Sequence, residues 1–255
     1  MRVIAVVSPK GGVGKTTVTA NLAAEIVAFG GKVTILDLDP QNALRLHYGM
    51  QYDDANGVVR QSVLGQPWRD AMYSSPYGVD FLPYGIVSET DRSSLEHHVK
   101  IKSTWLSSQL KSLNLADDHI VLIDTPPGPT VYLQQVLHCA NIALIVLKPD
   151  AASYSTIPSI ESLLHYYCGD REDFFGACYI INQMDVTKQL HRDVYQMLRK
   201  NLGDDLVPIS IHKDEAVSEA LACQSPVAYY AKNCSATHDL HQIANWLQTH
   251  FNLVT

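Results

Sequence analysis

A glycine- and lysine-rich segment, residues 8–17, most constrains how this chain can fold. It reads Ser-Pro-Lys-Gly-Gly-Val-Gly-Lys-Thr-Thr, follows an apolar run at residues 3–7, and leads into a run with few breaks at residues 18–29. This order predicts a strand, a glycine turn and a helix, which is the context that a phosphate-binding loop needs. The sequence therefore predicts that a phosphorylated ligand binds where this helix begins.

The residue types in the segment match the chemistry of phosphate binding. Its three glycines let backbone N–H groups turn inward, and the positive end of the helix dipole points at the same place. We expect the Lys15 ammonium group to bind the β- and γ-phosphates of ATP and the Thr16 hydroxyl to bind Mg²⁺. The alternative is a glycine-rich turn that binds nothing. The predicted nucleotide-binding residues of the loop are Gly11, Gly12, Val13, Gly14, Lys15, Thr16 and Thr17.

The segment departs from the ordinary phosphate-loop pattern at its start. That pattern has a glycine where this chain has Pro9, and this chain has a second lysine, Lys10, ahead of the glycines. The form Lys-Gly-Gly-x-Gly-Lys-Thr-Thr resembles the deviant Walker A motif of the ParA/MinD (SIMIBI) superfamily of dimerising ATPases. The resemblance implies a homodimer with ATP sandwiched between its subunits. It also implies that Lys10 acts in catalysis by reaching the nucleotide held by the partner subunit.

Two aspartates follow the second predicted strand, residues 32–36. Alternation along the strand puts Asp37 and Asp39 on the same side of the backbone, at the edge where open parallel sheets bind ligands. We predict an acidic pair near Mg²⁺ and the attacking water, the alternative being an Asp-Pro turn that only ends the strand. The full Asp-x-Asp-Pro-Gln pattern of the superfamily is present. By that resemblance Asp39 positions or polarises the hydrolytic water, and Asp37 supports the metal shell.

A third motif follows the apolar run at residues 120–123. This run ends in Asp124, which is typical of a central parallel strand that carries a carboxylate. We expect Asp124 to hold Mg²⁺ through a water molecule, and residues 125–129 to form a loop that senses the γ-phosphate. The predicted catalytic residues are therefore Lys10, Lys15 and Asp39, and the predicted metal-binding residues are Thr16, Asp37, Asp39 and Asp124.

Two later segments supply the predicted contacts to the base. Residues 179–183 are predicted to be a strand with Asn182 near its end, and residues 206–209 a shorter strand that contains Pro208. In the superfamily, an Asn and a Pro-containing loop at these positions frame the adenine ring. The resemblance assigns that role to Asn182 and Pro208. From the residues alone, Asn182 is equally typical of a turn at the end of a strand.

Strands and helices alternate along all 255 residues, without a repeat or a linker rich in Gly, Ser or Pro. This favours a single P-loop ATPase domain, residues 1–255, with a doubly wound α/β fold: a mostly parallel sheet with helices on both faces. The further predicted helices cover residues 43–47, 58–64, 89–115 (one or two helices), 153–167, 211–221 and 239–251.

Composition narrows the functional class. A net charge of −7 argues against a protein that coats DNA, so no direct DNA binding is expected. Five scattered cysteines without a Cys-x-x-Cys pair are typical of reduced thiols in a cytoplasmic protein. The sequence has no signal-peptide pattern and no apolar run near the ~20 residues of a membrane span. The helix predicted over residues 239–251 contains no Lys or Arg, unlike the basic amphipathic anchors of MinD-like proteins, so no membrane anchor of its own is expected.

Four segments outside the nucleotide motifs resemble a narrower family. They are residues 42–46, 64–71, 80–85 and 211–216, and they are similar to the BcsQ (YhjQ-type) family of MinD-like ATPases of bacterial cellulose secretion. The resemblance implies a cytoplasmic ATP-binding subunit that is recruited to the inner-membrane cellulose synthase complex as a regulatory or assembly subunit. We expect ATP hydrolysis to be slow, because a switch needs a long-lived ATP-bound state. It also implies two partners, a small companion protein of BcsR type and a c-di-GMP-sensing protein of BcsE type.

Two other functions compete with this interpretation. One is a ParA-type ATPase that partitions DNA or positions cargo, which would share the nucleotide motifs. The other is a scaffold that holds a nucleotide structurally without hydrolysing it. Some relatives lose the phosphate-loop lysines, whereas this chain keeps Lys10 and Lys15, so its site is expected to be chemically intact.

Overall fold

A computed structural model of the chain describes residues 1–253. Within these residues, seven strands form a single sheet. They are β1 (Arg2–Val7), β2 (Val33–Asp37), β3 (Tyr73–Ser74), β4 (Asp80–Leu82), β5 (Ile120–Asp124), β6 (Ile142–Leu147) and β7 (Gly176–Ile181). Their order across the sheet is β3-β4-β2-β5-β1-β6-β7.

Helices connect the strands. The described α-helices are α1 (Lys15–Ala28), α2 (Val58–Leu64), α3 (Glu89–Ile101), α4 (Trp105–Ser112), α5 (Val131–Leu137), α6 (Ala151–Ser155), α7 (Ile157–Cys168), α8 (Gln189–Leu202), α9 (Glu215–Ala222), α10 (Val227–Tyr230) and α11 (Ser235–Phe251). Short 3₁₀ helices cover Leu44–Tyr48, Trp68–Ala71 and Gly203–Asp205.

The sheet is parallel except at one edge, where the short β3 runs antiparallel to β4. Along β1, Val3, Ala5 and Val7 belong to one apolar core, and Ile4 and Val6 belong to a second core on the opposite face. Helices α2–α5, α7 and α8 cover the first core, and α1 with α9–α11 covers the second. The central strands are continuous apolar runs because both of their faces are buried. The predicted doubly wound α/β fold is confirmed.

Two predicted elements differ from the structure for reasons that involve proline. The predicted strand over residues 206–209 is wrong, because only Leu206 forms a bridge, to Tyr179. Pro208 has no N–H with which to extend the ladder. The predicted helix over residues 153–167 is two helices, α6 and α7, and Pro158 lies in the first turn of the second. A proline is tolerated there because N–H groups in the first turn of a helix have no partner within the helix.

His47 gives the fold a specific sensitivity to acid. Its side chain is 3% exposed, and burial lowers the pKa of His47 from the usual 6.5 to about 4. The unfolded chain takes up a proton on this histidine at a higher pH than the folded chain does. We therefore expect the contribution of His47 to stability to be complete above pH 6.5 and to be lost as the pH falls toward 4, by about 3 kcal/mol.

Urea unfolding of the parent and of His47→Gln between pH 7 and pH 4.5 measures this effect. The free energy of unfolding of His47→Gln should fall less over this range than that of the parent. His97→Gln, which changes an exposed histidine on α3, is the matched control and should follow the parent. Parallel pH profiles for the parent and His47→Gln would contradict the prediction.

Candidate functional site

The carboxyl ends of four neighbouring parallel strands bring the predicted site residues to one edge of the sheet. The glycine loop follows β1, the Asp39 loop follows β2, Asp124 ends β5, and Asp150 follows β6. The register places Asp124 opposite Val6 on one side and Asp37 on the other. This is the edge at which open parallel sheets hold their ligands.

The glycine loop has a backbone path that only glycine accommodates well. Gly12 and Gly14 have φ values of 72° and 86°, in the left-handed region. The side-chain amide of Asn182 donates to the Val13 carbonyl at 2.7 Å, and a Cβ atom at Gly14 would lie 2.4 Å from that amide nitrogen. Asn182 follows β7 directly, so this hydrogen bond ties the glycine loop to the carboxyl end of β7, two strands away from β1.

Lys15, Thr16 and Asp124 form a buried polar cluster at the start of α1. The Lys15 Nζ lies 2.9 Å from Asp124 Oδ1, and the Thr16 hydroxyl donates to Asp124 Oδ2 at 2.5 Å. Lys15 is 7% exposed and Asp124 is fully buried. Burial raises the pKa of Asp124, and Lys15 and Thr16 oppose that rise. The cluster therefore places one cation, one hydroxyl and one carboxylate where a phosphate loop needs them.

Asp37 and Asp39 differ in what their carboxylates contact. Asp37 is fully buried and accepts hydrogen bonds from the backbone N–H groups of Asp39, at 2.9 Å, and Leu44, at 3.3 Å. Burial and then the nearby Asp124 raise the pKa of Asp37 well above its usual range. Asp39 accepts a bond from the Gln41 N–H at 2.9 Å through one oxygen. Asp37 thus holds the loop that positions Asp39, whose second oxygen makes no hydrogen bond within residues 1–253.

The oxygen donors at this edge fit a magnesium ion that is bound together with phosphates. Within residues 1–253, no three His, Cys, Asp or Glu side chains converge closely enough to hold a metal ion by themselves. Thr16, Asp39 and Asp124 nevertheless supply hard oxygen atoms at one place. Mg²⁺ usually takes one or two carboxylates and completes its shell with water and substrate phosphates. The site therefore suits a metal that arrives with its phosphorylated ligand.

The second lysine of the motif is held by its own chain. The Lys10 Nζ lies 3.1 Å from Asp150 Oδ2, and both side chains are about a third exposed, at 39% and 34%. The other Asp150 oxygen caps α6 by accepting from the Ser153 N–H at 2.7 Å. Burial raises the pKa of Asp150, but the bonds from Ser153 and Lys10 outweigh it and hold the pKa below its usual value. Lys10 is thus restrained at the surface beside the site.

A cavity of about 250 Å³ opens beside the glycine loop. It combines apolar side chains with amide and charged groups, which is the lining that heterocyclic ligands require. Asn182 lies on its wall, whereas Pro208 is exposed and is not among the described lining residues. The segment that lines the cavity comes after Pro208, at residues 211–215. The other lining residues are Gly14, Thr17, Val18, Gln183, Val217, Ser218, Leu221 and Leu240.

The sequence predictions omitted Asp150 and the cavity-lining residues 211–215. A signal for Asp150 was present, because Lys148-Pro149-Asp150 follows a buried strand next to β1 in the sheet. Charged residues after such a strand lie at the ligand-binding edge. The helix predicted over residues 211–221 is wrong at its start, because residues 211–214 form a loop and α9 begins at Glu215. For this segment there was no comparable signal, since a loop carries no period that shows which of its residues face a cavity.

A parallel sheet in this order, with a glycine loop, Lys15 and Asp124 at one edge, defines a P-loop fold of the MinD/ParA type. The family model described as cellulose biosynthesis protein BcsQ matches residues 1–247. The chain belongs to this BcsQ family. The BcsQ protein of Escherichia coli strain K12 is 30% identical over 247 residues, which cover 96% of this chain and 94% of that protein. The family resemblance seen in the sequence is confirmed.

Solved structures share the fold over nearly the whole chain. Cobyrinic acid a,c-diamide synthase of Mycobacterium smegmatis, with a bound ATP analogue and magnesium, has a TM-score of 0.79 at 21% identity; the match covers 99% of this chain and 96% of that one. The septum site-determining protein MinD of Pyrococcus horikoshii OT3, complexed with Mg-ADP, has a TM-score of 0.78 at 21% identity, covering 99% and 98%. At these identities the likeness shows the fold.

Proposed function

We propose that this protein is an ATP-dependent dimeric switch with slow ATPase activity, and that it regulates or assembles the bacterial cellulose synthase complex. The observation that carries the proposal is the Lys15–Thr16–Asp124 cluster, with Lys10 exposed at the same edge of the sheet. Membership of the BcsQ family supports the link to cellulose biosynthesis. The ADP, ATP analogue and magnesium in similarly folded proteins support ATP and Mg²⁺ as the ligands.

Each residue of the site has a proposed role in phosphoryl transfer. Lys15 exchanges Asp124 for the β- and γ-phosphates, while Thr16 and Asp124 hold Mg²⁺, the latter through water. Asp39 orients the attacking water, and Asp37 keeps the Asp39 loop in place. Lys10 leaves Asp150 and completes the site of the partner subunit. Catalysis by positioning and charge stabilisation is usual for this reaction.

The cavity beside the glycine loop is the proposed site of the adenine ring. Asn182 is placed on its wall, which supports the contact suggested by the family resemblance. The position of Pro208 does not support the same role for that residue. We propose instead that the segment at residues 211–215 closes the cavity around the base, because its side chains line the cavity.

We further propose that residues 1–255 act as one domain in the cytoplasm, and that partners of BcsR and BcsE type recruit it to the inner-membrane complex. Within residues 1–253, no helix combines the length and apolar character that crossing a bilayer requires. The apolar stripe of α11 is buried in the core on the α1 side of the sheet, through Leu240, Ile243, Ala244 and Leu247. That packing supports a structural role for this helix instead of a role as an anchor.

Sedimentation velocity with ATP and Mg²⁺, with ADP and Mg²⁺, and without nucleotide tests the proposed switch, alongside phosphate release. A dimer that forms only with ATP, with slow phosphate release, is the expected result. If the protein is a dimer under all three conditions and retains stoichiometric, unhydrolysed ATP, the result would favour a structural scaffold over a switch. ATP-dependent, salt-sensitive DNA binding in the same preparation would favour a partition ATPase.

Asp150→Asn tests whether the resting contact of Lys10 opposes dimerisation. The side-chain oxygen of asparagine still accepts the hydrogen bond from the Ser153 N–H and keeps the cap on α6. Because asparagine is uncharged, it cannot form an ion pair with the Lys10 ammonium group. Because the pair is partly exposed, we expect the ATP-dependent dimer to tighten by at most about fivefold. Analytical ultracentrifugation over a concentration series measures the change. A dimer that weakens in Asp150→Asn would show that Asp150 helps the assembled state.

A further inference from the structure

A second cavity, of about 180 Å³, lies on the far side of the Asp39 loop from the glycine loop. Pro40, Gln41, Asn42 and Arg45 form one wall, and residues 84–87 with Glu89 and Arg92 form the other. It shares no lining residue with the cavity beside the glycine loop. The proposed nucleotide chemistry therefore does not account for it.

Arg45 is a buried cation without a counter-ion in the part of the chain that the structure describes. It is only 6% exposed, and none of the ion pairs within residues 1–253 includes it. Its Nη1 donates to the Asp54 carbonyl at 3.0 Å, and its guanidinium lies 5.0 Å from the centre of the Tyr52 ring. Its Nε has no hydrogen-bond partner among the described residues, 1–253. An uncompensated buried charge is costly, and an anion would remove that cost.

Asn42 brings a second unused donor to the same wall. The residue is 5% exposed, and its side-chain oxygen accepts the Tyr84 N–H at 3.1 Å. That bond fixes the orientation of the amide, while its Nδ2 has no partner within residues 1–253. Arg45 and Asn42 both line the cavity, and their buried, unpartnered N–H groups behind its surface are complementary to the two oxygens of a carboxylate.

The charges around the cavity set the charge of its ligand. Arg92 is already paired with Glu89 at 2.5 Å and lies 3.9 Å from Glu96. Arg45 is therefore left as the uncompensated charge among the lining residues. One negative charge neutralises it, whereas a doubly charged phosphate would leave an excess beside Glu89. The lining thus favours a carboxylate.

The opposite wall is rigidly placed. A Cβ atom at Gly57 would lie 2.2 Å from the Gly85 backbone nitrogen, so the two segments cross in direct backbone contact. The Ile86 N–H donates to the Ala55 carbonyl at 3.0 Å next to this crossing. The backbone of this wall is therefore set before any ligand binds, which lowers the entropic cost of binding. A ligand then needs only side-chain movement at the cavity surface to reach the two buried N–H groups.

We propose that this cavity is a carboxylate-binding site in which Arg45 and Asn42 hold the ligand. Ile86 and Val87 continue from it into a groove of about 440 Å³, in which Val63 and Leu64 expose apolar side chains beside Arg60, Ser88 and Asp91. A carboxylate side chain that is flanked by apolar residues in its own polypeptide fits both the cavity and the groove. This favours the side chain of an Asp or Glu in a partner protein over a free small carboxylate as the natural ligand.

Nuclear magnetic resonance of the full-length ¹⁵N-labelled protein tests the proposal with three probes: acetate, the capped peptide Ac-Leu-Glu-Leu-Leu-NH₂, and its Gln counterpart. We expect the Glu peptide to shift the Arg45 Nε–H resonance and to bind at least about tenfold more tightly than the Gln peptide. A response to acetate alone would identify a free carboxylate as the ligand. If neither carboxylate probe moves that resonance, or if both peptides bind equally, the proposal fails.

Two variants of the site and one control variant separate its contribution from general effects on the fold. Arg45→Gln should lose the preference for the Glu peptide, and the control Lys200→Gln, at an exposed lysine on α8 that lines neither the cavity nor the groove, should keep it. Asn42→Asp supplies Arg45 with a carboxylate from the chain itself. It should abolish binding of the Glu peptide without lowering the unfolding temperature, even if Arg45→Gln does not fold. An Asn42→Asp protein that still binds this peptide would overturn the assignment. Because no nucleotide is needed, this test is independent of the proposed ATPase.

Discussion

Lys15→Ala is expected to weaken ATP binding by at least about a hundredfold, because it removes the one buried ammonium group at the phosphate loop. In the structure that group pairs with Asp124 at 2.9 Å. Its proposed role is to transfer from this carboxylate to the phosphates. Isothermal titration with Mg²⁺ and ATP measures the loss directly.

The same substitution has a second consequence that must be separated from the first. Asp124 is fully buried beside Asp37, and Lys15→Ala removes the cation that is paired with Asp124. We expect a lower unfolding temperature, since an unpaired buried charge is strongly destabilising. Lys15→Arg retains the positive charge, so any loss of ATP affinity in this variant reports on the geometry of the site. Lys32→Ala removes an exposed lysine paired with Asp118 and is the surface control. A folded Lys15→Ala protein with unchanged ATP affinity would refute the site.

Lys10→Ala is expected to keep nucleotide binding by the monomer and to lose ATP-dependent dimerisation. Lys10 contacts only Asp150 through its ammonium group in the described chain, and both side chains are partly exposed. Removing an exposed ion pair changes stability little. The loss should therefore appear in assembly and not in folding, because the proposed target of Lys10 is the nucleotide of the partner subunit.

Sedimentation with ATP and Mg²⁺, combined with titration of the same nucleotide, separates the two properties. Lys100→Ala, at an exposed position on α3, should dimerise like the parent. If Lys10→Ala forms the dimer at the parent's concentration, Lys10 does not act across an interface. If it fails to bind ATP at all, Lys10 serves its own subunit.

Much of the fold could be predicted because its signals are local. Apolar runs such as residues 142–147 are buried on both faces, and they read as strands without knowledge of their neighbours. The glycine loop, Lys15 and Asp124 were predicted from short patterns in a strand–loop context. The chain order of strands and helices then allowed few arrangements other than a doubly wound sheet.

The sequence by itself therefore determined the fold class, the family and the order of the main motifs, because period and motif spacing are properties of neighbouring residues. Only the tertiary structure decided which distant side chains meet. It paired Lys10 with Asp150, placed residues 211–215 and not Pro208 at the cavity beside the glycine loop, and left Arg45 buried without a counter-ion among residues 1–253. Such contacts depend on which strands become neighbours in the sheet and where the loops between them lie. Local sequence patterns do not encode these long-range arrangements.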